Sequence, residues 1–427
     1  MNGRHPTRRG ALCSGATLAA GLFTGLVPNP AAASLNPFRN PCRGALPPDL
    51  AKHDLVLSAF DGIEASRMVD VHSHLLGTGD SGSGCSVNEQ AFQWWHPTEV
   101  LRRKVIMNAA CVVDEGAVDR AYVDGLVQQA EAFPAGARWW LFAFARAHDD
   151  QGRERADWTT FHVPNAYAAQ VAGARPQRFR WVASVHPYAP TALQDLDTAI
   201  AGGAVAVKWL PSAMNIDLRD ARCRPFYERL QRAGLPLIVH CGEEKAAPGA
   251  DREALGNPLL VRVPLGAGVR VIVAHAASLG HAHDIDKRSA PRVASFELFV
   301  RLMDEPAHGD RLLGDISAVF QRNRSEAVWR AVLETERWHP RLLHGSDHPL
   351  PGVMPLFSTG KLVQAGLLMP EAAEPLQRIR EHNPLLFDFV LKRHLHANGR
   401  RLPPLVFEAR ALPAHTATVR PVPPTAV

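Results

Sequence analysis

Short apolar runs rich in β-branched and aromatic residues alternate with segments of helical period through most of this chain. That alternation is the pattern of repeated strand–helix units around a parallel sheet. Eight runs read as strands: Met68–His72, Trp139–Ala145, Trp181–His186, Ala204–Trp209, Leu235–His240, Val269–His275, Arg311–Ser317 and Arg341–Ser346. Between them, helical spacing predicts helices over Ala117–Phe133, Asn165–Ala172, Ala192–Ala201, Arg224–Ala233, Asp251–Leu260, Arg292–Met303 and Ser325–Thr335. Eight parallel strands is the number that closes a barrel, and a first-to-last span of roughly 280 residues suits that fold with one long insertion. The expected fold class is therefore α/β: a (β/α)8 TIM barrel with an N-terminal extension, an inserted loop after the first strand, and a C-terminal helical and Pro-rich tail.

The barrel is expected over residues 67–395. The insertion falls at Leu75–Glu115 and carries Gly77-Thr-Gly-Asp-Ser-Gly-Ser-Gly84, read as a flexible loop over the site, and Trp94-Trp95. Its glycines lack the Gly-Lys-Ser/Thr ending of a phosphate loop, so they do not argue for a nucleotide. Residues 34–66 form the extension, with an amphipathic helix predicted around Leu50–Phe60 as a lid or plug. Beyond Asp347, helices are expected near Thr359–Leu368 and Pro375–His394, followed by a tail over 396–427 in which an extended Leu405–Ala409 packs on the barrel.

Residues 1–33 read differently. Arg8-Arg9, an uncharged Ala/Gly-rich run from Gly10 to Val27, and Ala31-Ala-Ala33 stand in the order of a twin-arginine signal peptide. The implied partner is the twin-arginine export machinery, and the implied location is periplasmic or secreted; an unstructured basic N-terminus is the competing reading. The apolar run is too short and interrupted to predict a stable membrane span in the mature form.

Apolar residues at 46% and charged residues at 21% describe an ordinary globular chain. The net charge of +5 is spread without a Lys/Arg block, so nothing points to nucleic acid as a partner. Of six cysteines, Cys13 would leave with the signal, and the rest show no CxxC spacing, which argues against a structural zinc cluster. One disulfide suits an oxidising compartment, with Cys42–Cys85 as the candidate pair, although spacing alone does not pair cysteines. Oligomeric state is not legible in the sequence.

The chemistry lies at the strand ends. The first strand ends in His72 and His74, whose side chains at i and i+2 share a face. Later runs end in Lys208, His240, His275 and Asp347, and a parallel barrel gathers all strand ends at one mouth. Imidazole and carboxylate suit Zn²⁺ or a similar divalent ion, whereas a protonated lysine has no lone pair to give. Lys208 is thus the odd member. Either CO₂ carbamylates it into a carboxylate that bridges two ions, or it stays an ammonium that holds an anionic substrate beside one ion.

The residues Val71-His-Ser-His74, the strands ending in Lys208, His240 and His275, Gly345-Ser-Asp-His-Pro349 and Glu381-His-Asn-Pro-Leu-Leu-Phe387 resemble the amidohydrolase superfamily over residues 67–390. The resemblance implies that His72, His74 and Asp347 hold the more buried metal and that His240 and His275 bind a second ion, with Lys208 bridging. In single-metal relatives the His275 position instead polarises substrate while His240 completes the shell. The implied cofactor is Zn²⁺, as one or two ions. Such an ion lowers the pKa of bound water from 15.7 towards about 7, and Asp347 would shuttle the proton. The reaction expected first is hydrolysis of an amide, ester, lactone or related carbonyl bond of a small molecule. The alternatives are a single-metal decarboxylase or C–C lyase and a non-catalytic periplasmic binding protein. His186, Asp315 and Glu243 are candidate substrate contacts on the same mouth, and His344 or His348 is placed to orient Asp347.

Overall fold

All eight apolar runs become strands of one parallel ring in the computed structural model, which describes residues 38–112 and 116–412. Strand β1 is Val69–His74, β2 Arg138–Phe142, β3 Phe179–Val182, β4 Val207–Trp209, β5 Leu237–His240, β6 Val271–Ala274, β7 Leu312–Asp315 and β8 Leu342–Leu343. Pairing runs β1 to β3 and separately β4 to β8, parallel throughout. Two seams close the ring. Ala183 N–H donates to Ala206 O and Lys208 N–H to Ala183 O at 2.9 and 2.8 Å, while Val71 N–H donates to His344 O at 2.9 Å.

Strand side chains divide by alternation into two apolar layers, as a sheet buried on both faces requires. Val71, Phe142, Ile238, Ile272 and Leu313 belong to the layer inside the ring. Trp139, Trp181, Val239, Val273 and Leu312 belong to the larger layer beneath the helices. The register of β1 against β2 slips between Asp70 and Ser73, a bulge that turns the end of β1 just where the two histidines stand.

The outer ring includes α1 Pro97–Ala109, α2 Val118–Ala130, α3 Asn165–Ala174, α4 Ala192–Ala201, α5 Cys223–Ala233, α6 Ser295–Asp304, α7 Glu326–Glu334, α8 Ala373–His382 and α9 Pro384–His394. Helix α1 lies inside the insertion that was expected to be loop. Of its residues only Ala109 is fully buried, so no strong apolar stripe advertises it.

Three further expectations are corrected by local chemistry. Leu50–Phe60 is not one helix but the turns Pro48–Ala51, Asp54–Leu57 and Ser58–Phe60, with the His53 ring accepting from Leu55 N–H to restart the coil. Asp251–Leu260 is two 3₁₀ turns, because Pro258 has no N–H and Asn257 caps Leu259 instead. The helix expected over Pro375–His394 breaks at Asn383-Pro384, where the Asn383 side chain accepts from Leu386 N–H.

The tail expected to be extended forms a 3₁₀ turn at Pro404–Val406, the two prolines at 403 and 404 favouring a turn start. Its Phe407 carbonyl accepts from Val69 N–H at 3.1 Å, and Ala409, Ala411 and Leu412 close over the inner apolar layer. The signal sequence expected over 1–33 lies outside the described residues.

Cys42 pairs with Cys111, not with Cys85, which is free and buried. The bridge ties the extension to the end of α1, and Asn40 and Asn108 exchange two hydrogen bonds beside it at 2.8 and 3.0 Å. It spans a sequence separation of 69, a loop long enough for cross-linking to contribute about 2–4 kcal/mol by chain entropy. Denaturant titration of the Cys111→Ser protein should lose stability of that order, and reductant should destabilise the wild type but not the variant.

Candidate metal centre

The His-x-His end of β1 and the turn after β8 meet at the C-terminal mouth of the barrel. Asp347 N–H donates to His72 O at 2.8 Å, which locks the turn onto β1. The Asp347 Oδ1 atom then lies 3.1 Å from His74 Nε2 and 3.4 Å from His72 Nε2. Gly345 permits this approach, since a Cβ there would stand 2.6 Å from His72 Cβ. Lys392 of α9 holds the same turn from behind, donating to Gly345 O at 2.7 Å and to Asp388 Oδ2 at 2.6 Å.

The histidines present the ring nitrogen that a metal needs. The His72 Nδ1–H donates to Asp315 Oδ2 at 2.9 Å, which leaves Nε2 as the lone-pair nitrogen, and that atom is buried without a hydrogen-bond partner among the described residues. His275 Nδ1 contacts Ser317 O at 3.1 Å and its Nε2 lies 3.9 Å from Asp347 Oδ2. His240 Nδ1 is 3.3 Å from Glu244 Oε2, and its Nε2 is likewise buried and has no hydrogen-bond partner among the described residues. An orphaned imidazole nitrogen, a second imidazole and a carboxylate oxygen within ligand reach of one another fit a divalent ion.

Protonation states agree with that role. Burial pushes the His72 imidazole down to about 4, with Lys208 adding to the effect against Asp315 and Asp347. Burial likewise lowers His240 and His275. For Asp347 burial would raise the carboxyl, but His275, His74 and His72 around it overcome that and hold it well below the carboxylate range. Neutral imidazoles beside an ionised carboxylate are the ligand forms. Both His275 and Asp347 also hold left-handed backbone, at φ 55° and 59°, the kind of strain that functional sites retain.

Lys208 is 1% exposed and its Nζ has no hydrogen-bond partner among the described residues. It stands 5.3 Å over the Phe142 ring. Burial lowers its ammonium to about 8, opposed by Asp315, Asp347 and Glu244.

The expected substrate contacts fare unequally. Glu243 lines the cavity above the site and is 3.2 Å from Lys245 Nζ. Asp315 does not face substrate. Its oxygens take the His72 ring N–H and the backbone N–H groups of His275 and Ser317, so it orients ligands from behind. His186 does not line the cavity: its Nε2 donates to Met214 O, its Nδ1 accepts from Tyr188 N–H, and its ring stacks on His148. Neither His344 nor His348 hydrogen-bonds Asp347 through its ring. His344 packs between Phe389 and Phe407, and His348 against Tyr122.

The run Glu243-Glu-Lys245 reads in the sequence as a contact for a polar substrate or a solvated charge run, whereas the structure turns Glu244 to the His240 ring. Sequence reasoning passed over Ser317, Gln321 and Arg324, which sit in an irregular loop with no periodic signal. The Gly77–Gly84 loop, expected to be flexible, is tied down by Asp119. That carboxylate accepts from Thr78 N–H, Gly79 N–H and the Ser83 hydroxyl at 2.6, 3.2 and 2.5 Å.

The site opens into a cavity of about 530 Å³. The insertion forms one wall with Leu76, Val87, Leu101 and Val105, and the loops after β5 and β7 form the other. The surroundings are mostly apolar, as in sites that hold small organic molecules.

A closed parallel barrel with a His-x-His strand, a strand-end aspartate and lone-pair nitrogens turned to one point is the architecture of a metal-dependent barrel enzyme. The chain belongs to the amidohydrolase family, whose profile matches residues 69–385. No curated protein matches it. Among solved structures, it is similar to an uncharacterised TIM-barrel protein from Bordetella bronchiseptica at 16% identity, covering 70% of this chain and 99% of that one, with a TM-score of 0.44. It is also similar to 4-oxalomesaconate hydratase from Rhodopseudomonas palustris (14% identity, 76% and 93% coverage, TM-score 0.38). A third is 2,6-dihydroxybenzoate decarboxylase from Rhizobium (14%, 75% and 98%, TM-score 0.37). Likeness this loose carries no argument about chemistry.

Asp315→Asn should weaken divalent-ion affinity about 10- to 100-fold, the usual effect of removing a carboxylate behind a ligating histidine. Gly345→Ala should also weaken it, by pushing His72 off its position. Metal titration followed by elemental analysis reads both, and wild-type affinity in Asp315→Asn would remove Asp315 from its orienting role.

Proposed function

We propose that this protein is a divalent-metal-dependent lyase that releases CO₂ from a small carboxylated substrate with an apolar body. The observation that carries the reading is Lys208, a fully buried amine with no hydrogen-bond acceptor among the described residues, placed on the mouth where the donor set of His72, His74 and Asp347 converges. Burying a charge without a partner is costly, and a substrate carboxylate entering the cavity would relieve that cost.

A divalent ion held by His72, His74 and Asp347 would supply Lewis-acid polarisation of a substrate oxygen. The residues of the chain do the rest. Lys208 in its ammonium form holds and orients the anionic group. Asp347, ionised at neutral pH, takes up at Oδ2 the one solvent proton that the overall reaction consumes, and His275 Nε2 faces that same oxygen. In the overall step the carbon–carboxyl bond breaks, CO₂ departs, the electron pair stays on carbon, and the proton returned by Asp347 takes its place. The apolar walls keep competing water away from that carbon.

Hydrolysis of an amide, ester or lactone is the second reading, and one observation favours it. His240 Nε2 is a further buried nitrogen without a hydrogen-bond partner among the described residues, and with a carbamylated Lys208 it would be free to hold a second ion. The Cys42–Cys111 bridge supports an oxidising location for either enzyme, the setting that a twin-arginine signal implies.

Hydroxylated aromatic acids, amides and lactones offered to the metal-loaded protein separate the readings. The expected result is CO₂ release that chelation abolishes and a divalent ion restores, with Lys208→Met lowering kcat/KM about 100-fold. Incorporation of ¹⁸O from water into product without CO₂ release would establish the hydrolase instead.

A further inference from the structure

The loop after β7 carries a second polar group that the chemistry above does not use. Gln321 and Arg324 both line the cavity. The Arg324 Nη1 donates to Gln321 Oε1 at 2.7 Å and to Asn323 Oδ1 at 2.6 Å, and Nε reaches Ser278 Oγ at 3.3 Å. Every one of these acceptors is neutral. No carboxylate lies within ion-pair distance of Arg324 among the described residues, whereas Arg262 and Arg301 are each paired with two.

The carboxylates that could serve it are already committed. Glu243 pairs with Lys245, and Glu244 faces His240 while accepting from Ala246 and Ala247 N–H. Desolvation lowers the guanidinium to about 10, with Asp347, Glu244 and Glu243 opposing it only at a distance.

Gln321 supplies the independent observation. It is 2% exposed, and its Nε2 has no hydrogen-bond partner among the described residues. The amide orientation is set, because its oxygen must face the guanidinium. A buried amide donor that lacks an acceptor among the described residues and an arginine Nη2 that bonds nothing among them therefore stand side by side on one cavity wall.

We propose that Gln321 and Arg324 form an anion subsite that takes a carboxylate of the bound ligand, apart from the metal donors. One guanidinium and one neutral amide supply a single positive charge and planar donors, which match a carboxylate monoanion better than a phosphate dianion. The apolar walls suit a ligand whose remaining body is a ring or short chain. Naming that ligand as the substrate rests on the lyase reading; the subsite itself does not.

The test is calorimetric titration of the full-length, metal-loaded protein with benzoate, benzyl alcohol and inorganic phosphate, which offer neither a hydrolysable bond nor an activated carboxyl group. Benzoate should bind at least about 10-fold more tightly than benzyl alcohol, and Arg324→Gln should weaken benzoate about 10-fold, leaving the share that Lys208 and the metal supply, with benzyl alcohol unchanged, as expected for loss of a charge-assisted hydrogen bond. Gln321→Glu, which hands the guanidinium an internal carboxylate without truncating anything, should weaken benzoate by a similar factor; melting temperatures check that both variants fold. Benzoate affinity unmoved by both substitutions would overturn the subsite, and so would Arg324-dependent binding of phosphate tighter than that of benzoate. Because nothing is turned over, an Arg324-dependent benzoate site stands even if no CO₂ is released from any acid, and its absence leaves a positive CO₂ assay intact.

Discussion

The site depends on one buried carboxylate that never touches the cavity. Asp315, at the end of β7, holds the His72 ring by Nδ1 and receives the backbone N–H groups of His275 and Ser317. Desolvation would raise its carboxyl, yet His72, His275 and Ser317 hold it well below the ordinary range, so it stays ionised in the core. A single anion thereby sets the tautomer of one ligand and the backbone of another. Without it, the lone pair of His72 would have no reason to point at Asp347.

Around that anchor the barrel spends regularity on function. The bulge in β1 and the left-handed residues His275 and Asp347 interrupt otherwise ideal strands at the mouth, and each interruption turns a ligand inward. Stability for these departures comes from below and outside. Lys392 and Asp388 of α9 clasp the Asp347 turn, and the C-terminal turn closes over the inner apolar layer. A strained mouth on a well-packed ring is the ordinary division of labour in this fold, where one end carries chemistry and the other stability.

The insertion after β1 gives the cavity its shape. Asp119 gathers the glycine-rich stretch by its amides and hydroxyls, α1 supplies an apolar wall, and Cys42–Cys111 ties that helix to the extension. The opposite wall, after β5 and β7, is where the polar side chains gather. Candidate metal donors at the base, an apolar wall and a polar wall together shape a cavity that suits an amphipathic small molecule.

Much of this was legible in the linear sequence. Strand periodicity is a local signal, so all eight strands and the barrel were legible, and the i, i+2 spacing put His72 and His74 on one face, whereas the grouping of Asp347 with them came from the family resemblance. Where local chemistry competes with periodicity, as at His53, Pro258 and Asn383-Pro384, the helix boundaries moved. Partnerships between distant residues were not legible. The pairing of Cys42 with Cys111, the turning of Asp315 from substrate to His72, the withdrawal of His186 towards Met214, and the meeting of Gln321 with Arg324 all depend on which irregular loops become neighbours. The sequence by itself determined which side chains stand at the strand ends, because that follows from a two-residue repeat. Only the tertiary structure decided which nitrogen each histidine presents and which buried donors are left without a partner, because hydrogen-bond satisfaction is a property of the packed whole.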